Sequence, residues 1–148
     1  MIALLDEHCA RANRVASDVV SAYDVAYLPI DFRRQGNFGY AFVNFTTPNA
    51  GLLLYYALQG CGWKVCGSRK HIDIVPAKIQ GKEELVRHFS RHKFECESKE
   101  FLPAVFTPAR DGGARATSTT TTRVGKLLPA PAPRNAKKAY VVRSKVEG

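Results

Sequence analysis

With 148 residues and 45% apolar side chains, the chain has room for one domain plus a tail and is too apolar to be unstructured throughout. No apolar run approaches the roughly 18 residues of a membrane span, and Met1-Ile-Ala-Leu-Leu followed by Asp6-Glu7 lacks the basic start and cleavage site of a secretory leader. The net charge of +9 is uneven: residues 1–106 hold 13 Lys/Arg against 11 Asp/Glu, net +2, and residues 107–148 hold 9 against 2, net +7. A nucleus or cytoplasm location is the expectation, with Cys9, Cys61, Cys66 and Cys96 as reduced thiols.

In chain order, Ile2, Leu5, Cys9 and Ala12 mark one stripe of a helix running to about Arg14. Ala22-Tyr-Asp-Val-Ala-Tyr-Leu-Pro-Ile30 reads as a strand, with Tyr23, Val25 and Tyr27 on one face and Asp24, Ala26 and Leu28 on the other. The turn Asp31-Phe-Arg-Arg-Gln-Gly36 leads to a second strand, Asn37 to Phe45. Thr47 and Pro48 are expected to cap and open a helix whose apolar stripe is Leu52, Tyr55, Tyr56 and Leu53, ended by Gly60. Trp63 is expected to anchor a loop in the core, and Lys70 to Val75 alternates as a third strand with Ile72 and Ile74 inward. Lys82 to Lys93 returns to helical spacing through Leu85, Val86 and Phe89. From residue 107 onward, Gly112-Gly113, the run Thr117–Thr122 and Pro129-Ala-Pro-Ala-Pro133 predict a disordered basic tail, with Ala139–Arg143 a short strand-like island.

The stretch Phe38-Gly39-Tyr40-Ala41-Phe42-Val43-Asn44-Phe45 carries the chemistry. Alternation places Phe38, Tyr40, Phe42 and Asn44 on one face, and Gly39, Ala41, Val43 and Phe45 on the other, under the helices. Exposed rings on an open sheet accept unstacked bases, at about 1–3 kcal/mol per base. The stretch resembles the octamer of the RNA recognition motif (RRM), K/R-G-F/Y-G/A-F-V-x-F/Y, at every defined position but the first. Tyr40 and Phe42 are therefore the candidate stacking residues, with Tyr27 extending the platform. Arg33, Arg34 and Asn37 in the entering loop, and Lys78 beyond the third strand, are candidate phosphate or base contacts. Asp73 is expected on the same side as the rings, where it would repel phosphate.

No enzyme motif is present: no Gly-rich phosphate loop, no GxSxG and no HExxH. His88, His92 and Cys96 recur at intervals of four, yet the chain has no CxxC pair, so no metal or cofactor is predicted. The expected partner is single-stranded RNA, with protein partners as a further possibility and neither a membrane nor a small-molecule substrate.

Tyr23-Asp24, Tyr27-Leu-Pro-Ile-Asp-Phe32, Gly39–Phe45 and Ala77-Lys-Ile-Gln-Gly81 together resemble the C-terminal RRM of Mei-two-like RNA-binding proteins, in their plant terminal-ear branch. His88-Phe89, Phe94-x-Cys96 and Phe101-Leu-Pro-x-Val-Phe106 continue the likeness. The resemblance implies a regulator of meiosis or of plant development that binds RNA. The order of elements reads as an α/β (α+β), ferredoxin-like RRM over residues 1–106 that lacks its first strand and adds a C-terminal helix, and composition makes 107–148 a tail. Two departures stand out. Pro76 occupies a position where the family tends to carry an aromatic residue, and the family's first strand, central in its sheet, is missing ahead of the first helix. Three accounts of the empty slot stay open: a start further upstream, substitution by Tyr140–Arg143, or a poorly folded product. Two alternatives to RNA stacking also remain, a degenerate RRM serving as a protein-interaction module and purely electrostatic binding by the tail.

Overall fold

The computed structural model describes residues 1–16, 18, 20–63, 67–113 and 118–128. The fold is α/β, with the helices and antiparallel sheet of an RRM. Helix α1 (Ile2–Val15) buries Leu5, His8 and Cys9, with Ile2 packed beside them, close to the stripe expected from spacing. At its end Asn13 turns the chain: its Nδ2 donates to the carbonyls of Ser21 (2.8 Å) and Asp111 (3.0 Å), and its Oδ1 accepts from the amides of Val20 and Ser21.

Strand β1 (Tyr23–Tyr27) lies inside a four-stranded sheet. Two short strands, β2 (Ile30–Asp31) and β3 (Gly36–Asn37), form a separate hairpin before β4 (Phe42–Phe45) pairs antiparallel with β1. The β1–β4 register runs Tyr23↔Phe45, then Val25↔Asn44, so Asp24 is an extra residue on β1. This bulge corrects the expected single face for Tyr23, Val25 and Tyr27. Tyr23 and Ala26 join a core with Leu5, Cys9, Leu54, Ala104 and Phe106, whereas Val25 faces a second core with Leu85, Phe89 and Val105, and Tyr27 packs against it.

Helix α2 (Pro48–Leu58) begins as expected, with Thr47 accepting from the Ala50 amide at 3.2 Å and Pro48 in the first turn. Its buried residues are Ala50 and Leu54, with Leu58 half-buried. The four-residue spacing of these residues turns Leu52, Tyr55 and Tyr56 to the opposite, exposed side, contrary to the predicted stripe. Trp63 is also exposed rather than a core anchor. Lys70–Val75 does not join the sheet: its partner is the nearby chain, through Trp63 N–H to Lys70 O, Ile72 N–H to Cys61 O and Gly60 N–H to Ile72 O. A strand needs an open edge beside it. Among the described residues the outer edge of β4, where the expected central strand would sit, carries no partner. The suggested substitute, Tyr140–Arg143, lies outside the described residues.

The opposite edge of β1 is filled. Helix α3 (Lys82–Arg91) and β5 (Lys93–Glu95) lead through a short 3-10 turn, Lys99–Phe101, into β6 (Ala104–Arg110), which pairs antiparallel with β1. Strand β7 (Thr120–Arg123) extends the sheet, and β8 (Lys126–Leu128) pairs parallel with β5. A structureless tail from residue 107 is therefore corrected for residues 107–110, 120–123 and 126–128. The threonine run reads as low complexity, yet threonine is β-branched and suits a sheet edge that is already present. Residues 129–148 lie outside the described part.

One polar cluster ties three elements together. The Tyr23 hydroxyl donates to Asp6 Oδ1 at 2.7 Å, and Arg110 donates through Nε to Asp6 Oδ1 (3.1 Å) and to the Tyr23 oxygen (3.2 Å), and through Nη2 to Asp6 Oδ2. The Arg110 guanidinium also lies 5.4 Å from the centre of the Phe106 ring. Burial pushes the Asp6 carboxyl upward, but hydrogen bonds from Arg110 and Tyr23 outweigh it and hold the group below its ordinary value. Burial and the Asp6 carboxylate raise the Tyr23 phenol. A carboxyl whose folded pKa is depressed contributes stability that is present above its unfolded pKa and lost as pH falls through the folded value. Asp6→Asn should cost about 1–3 kcal/mol at neutral pH, because two donors lose a charged acceptor. Urea unfolding should show the gap between wild type and D6N narrowing as pH drops below about 4. A gap that stays constant across that window would mean the carboxylate contributes nothing through its charge.

Candidate nucleic-acid interface

On β4, Val43 and Phe45 pack against the first core, leaving Phe42 toward the other side of the sheet. The octamer is not one continuous strand. Asn37 Oδ1 accepts the Gly39 amide at 2.8 Å, and Gly39 sits at φ +84°, where a side chain would be strained. The kink still delivers a line of rings. Phe38 and Tyr40 centroids are 6.5 Å apart, and Tyr40 meets Phe42 edge-on at 5.7 Å. Phe38, Tyr40 and Phe42 are 58%, 54% and 36% exposed, so the two expected stacking residues are open and Phe38 joins them.

Tyr27 lies parallel to Phe42, with centroids 6.4 Å apart and planes 7° apart. It is roofed, however, by Phe89 of α3 at 5.4 Å and Phe94 of β5 at 5.3 Å. Burial, then the Tyr40 and Cys96 charges, raise its phenol above the ordinary value. Tyr27 thus supports Phe42 from the second core instead of forming an open platform. The helical spacing of Leu85 and Phe89 was visible in the sequence; that this helix lies against the ring-bearing face was not.

The polar candidates lie on the β2–β3 hairpin and on the segment before α3. Arg33 and Arg34 are exposed at the tip of the β2–β3 hairpin, where Asp31 Oδ1 accepts both backbone amides (3.1 and 3.2 Å) and Arg34 Nε lies 3.7 Å from Asp31 Oδ2. Asn37 is exposed, with its carbonyl oxygen committed to Gly39. Lys78 is exposed beside Ile79, which packs into the second core near Leu85 and Phe89. Asp73 does not stand among the rings as expected: its Oδ1 accepts from Gln59 at the end of α2, at 3.0 Å. Among the described residues no three His, Cys, Asp or Glu side chains converge as a metal site, and Cys96 is buried while His88 and His92 are exposed.

The model of the family described as RNA recognition motif 2 matches residues 9–90, from within α1 to near the end of α3. The chain belongs to this family. Strands β5 to β8 lie beyond the matched RRM span. The chain is 50% identical over 123 residues to Protein MEI2-like 7 of Oryza sativa, covering 76% of this chain and 32% of that protein. It is 47% identical over 117 residues to Protein terminal ear1 of Zea mays (76% and 18%), and 46% identical over 121 residues to Protein MEI2-like 6 of Oryza sativa (76% and 38%). The Mei-two-like resemblance read from the residues is thereby shown. The matches span between 18% and 38% of the length of these relatives.

Phe89 is the ring on which the covered side of this RRM rests. Phe89→Ala should destabilise the fold by about 3–5 kcal/mol and, where folded, bring the Tyr27 phenol down toward its ordinary value in a spectrophotometric titration. Phe89→Leu, which keeps most of the volume, should cost less and shift Tyr27 less. An unmoved tyrosine titration in both variants would show that Phe89 does not shield Tyr27.

Proposed function

We propose that this RRM binds single-stranded RNA by stacking bases on Tyr40 and Phe42, with Arg33, Arg34, Asn37 and Lys78 contacting phosphates or base edges around them. The observation that carries the reading is the line of exposed rings, with Tyr40 and Phe42 at 5.7 Å, held above a strand whose opposite face is locked into the core. A ring kept on the surface of a folded sheet has already lost its freedom, so a base that stacks on it gains contact at little ordering cost. Tyr27 acts beneath Phe42 as its support. The chain works as a binding module, not an enzyme, and needs no cofactor. Its setting is proposed to be a nuclear or cytoplasmic regulator of meiosis or plant development, a reading supported by the likeness to Protein terminal ear1 and the MEI2-like proteins.

A second reading, docking of a protein partner, is favoured by one observation: Leu52, Tyr55 and Tyr56 are exposed on one side of α2, away from the rings of β4. Anisotropy titration of short single-stranded RNAs separates the two. Tyr40→Ala with Phe42→Ala should weaken binding by about 30-fold or more while leaving the circular dichroism spectrum unchanged. Tyr55→Ala with Tyr56→Ala should leave RNA affinity intact. Equal affinity of wild type and the β4 double variant would sink the stacking reading. Electrostatic binding by the tail is tested by deleting residues 129–148, not 107–148, because 107–128 supply sheet strands. Loss of all RNA affinity in that deletion would assign binding to the tail.

A further inference from the structure

The flank of α3 next to the covered core carries a second cluster that the octamer does not include. Glu84, Arg87, His88 and Arg91 follow at helical spacing, and with Ile79 and His92 they line an open groove of about 370 Å³. Arg87, His88, Arg91 and His92 are all exposed. The His88 and His92 rings are 4.1 Å apart, and His92 Nδ1 lies 2.7 Å from the His88 carbonyl oxygen, which holds the second ring over the end of the helix. The buried Phe89 ring links the cluster to the β4 rings: Phe42 meets Phe89 at 6.3 Å, and Phe89 meets His88 at 5.6 Å. Ile79, on the groove wall, follows directly on Lys78.

We infer that this groove is a second RNA subsite, which takes the nucleotide next along the strand after those on Tyr40 and Phe42. The base lies against the His88 and His92 rings and Ile79, and Arg87 and Arg91 hold the flanking phosphates. The inference rests on the stacking reading above and extends its path from the sheet onto α3. Each part matches a chemical need. Imidazole faces stack with bases and guanidinium groups pair with phosphate oxygens. Two arginines four residues apart stand about 6 Å apart along a helix axis, and so can follow a backbone instead of gripping one phosphate. Glu84 has a defined place in the scheme. It pairs with Arg87, so in the free protein it keeps that guanidinium occupied, and phosphate competes with it on binding. The groove on α3 presents imidazole rings and guanidinium groups together.

The test uses the full chain and fluorescein-labelled oligouridylate of eight nucleotides, titrated by anisotropy at several salt concentrations. Arg87→Gln with Arg91→Gln should weaken binding about 10-fold and lower the slope of log affinity against log salt by about 1.4, two contacts at about 0.7 each. Glu84→Gln should strengthen binding, since it frees Arg87. Arg11→Gln with Arg14→Gln, the same charge change on α1, should leave affinity unchanged. Arg11, Arg14, Glu84, Arg87 and Arg91 are all exposed, and circular dichroism checks that each variant is folded. If R87Q/R91Q binds as the wild type does, while Tyr40→Ala with Phe42→Ala loses affinity, the α3 subsite is refuted and the stacking reading stands. If the α1 control loses as much as the α3 pair, diffuse charge explains the effect and the subsite is likewise refuted. If neither the β4 rings nor the α3 arginines matter, the stacking reading itself falls.

Discussion

Strand β1 is hydrogen-bonded along both edges, to β4 and to β6, and is covered on both faces. Every other layer attaches to it. A strand in that position must send apolar side chains both ways, and the extra residue at Asp24 lets it do so with a local change of direction: Tyr23 and Ala26 go under α1 and α2, while Val25 and Tyr27 go toward α3. Asp24 itself is satisfied by Asn44, which donates to its Oδ1 at 2.8 Å across the β1–β4 pair. The polar cluster of Tyr23, Asp6 and Arg110 then joins the first helix, the central strand and the far end of β6, residues 104 positions apart in the chain.

This arrangement explains why the ring-bearing side is only partly open. Val25 and Tyr27 need a cover, and Leu85 and Phe89 of α3 supply it. Phe89 reaches as far as Phe42 on one side and touches the His88 ring on the other. One helix thus covers a core with Leu85 and Phe89 and lines an open groove with Glu84, Arg87, His88 and Arg91. The strands that follow hold this helix in place: the Lys126 amide donates to the His92 carbonyl and the Val124 amide to the Pro103 carbonyl, both at 3.0 Å.

The parts that were legible in the sequence rest on short-range physics. Thr47-Pro48 announces a helix start because a hydroxyl cap and a fixed proline φ act within one turn. Phe42 to Phe45 alternates visibly, and its two faces are those the alternation predicts. The same alternation predicts Tyr40 and Phe42 as exposed rings, and both are open. Where two solutions satisfy the same local pattern, local residues do not choose between them. On α2, Leu52, Tyr55 and Tyr56 form as good an apolar stripe as Ala50, Leu54 and Leu58, and only contact with the sheet selects the smaller set. Lys70–Val75 alternates as a strand does, but its backbone groups pair with Gly60, Cys61 and Trp63 instead of a sheet edge.

By itself, the sequence determined the family, the ring-bearing strand, the caps and the presence of α3, since each is encoded by residues within a few positions of one another or by a motif held in one segment. Tertiary structure alone decided that Tyr27 is roofed, that a bulge at Asp24 splits β1 between two cores, and that residues 104–110 and 120–123 complete the sheet. The physical reason is the same in each case. A strand's edges and a helix's covered face are chosen by partners far along the chain, and hydrophobic burial carries no direction until those partners meet.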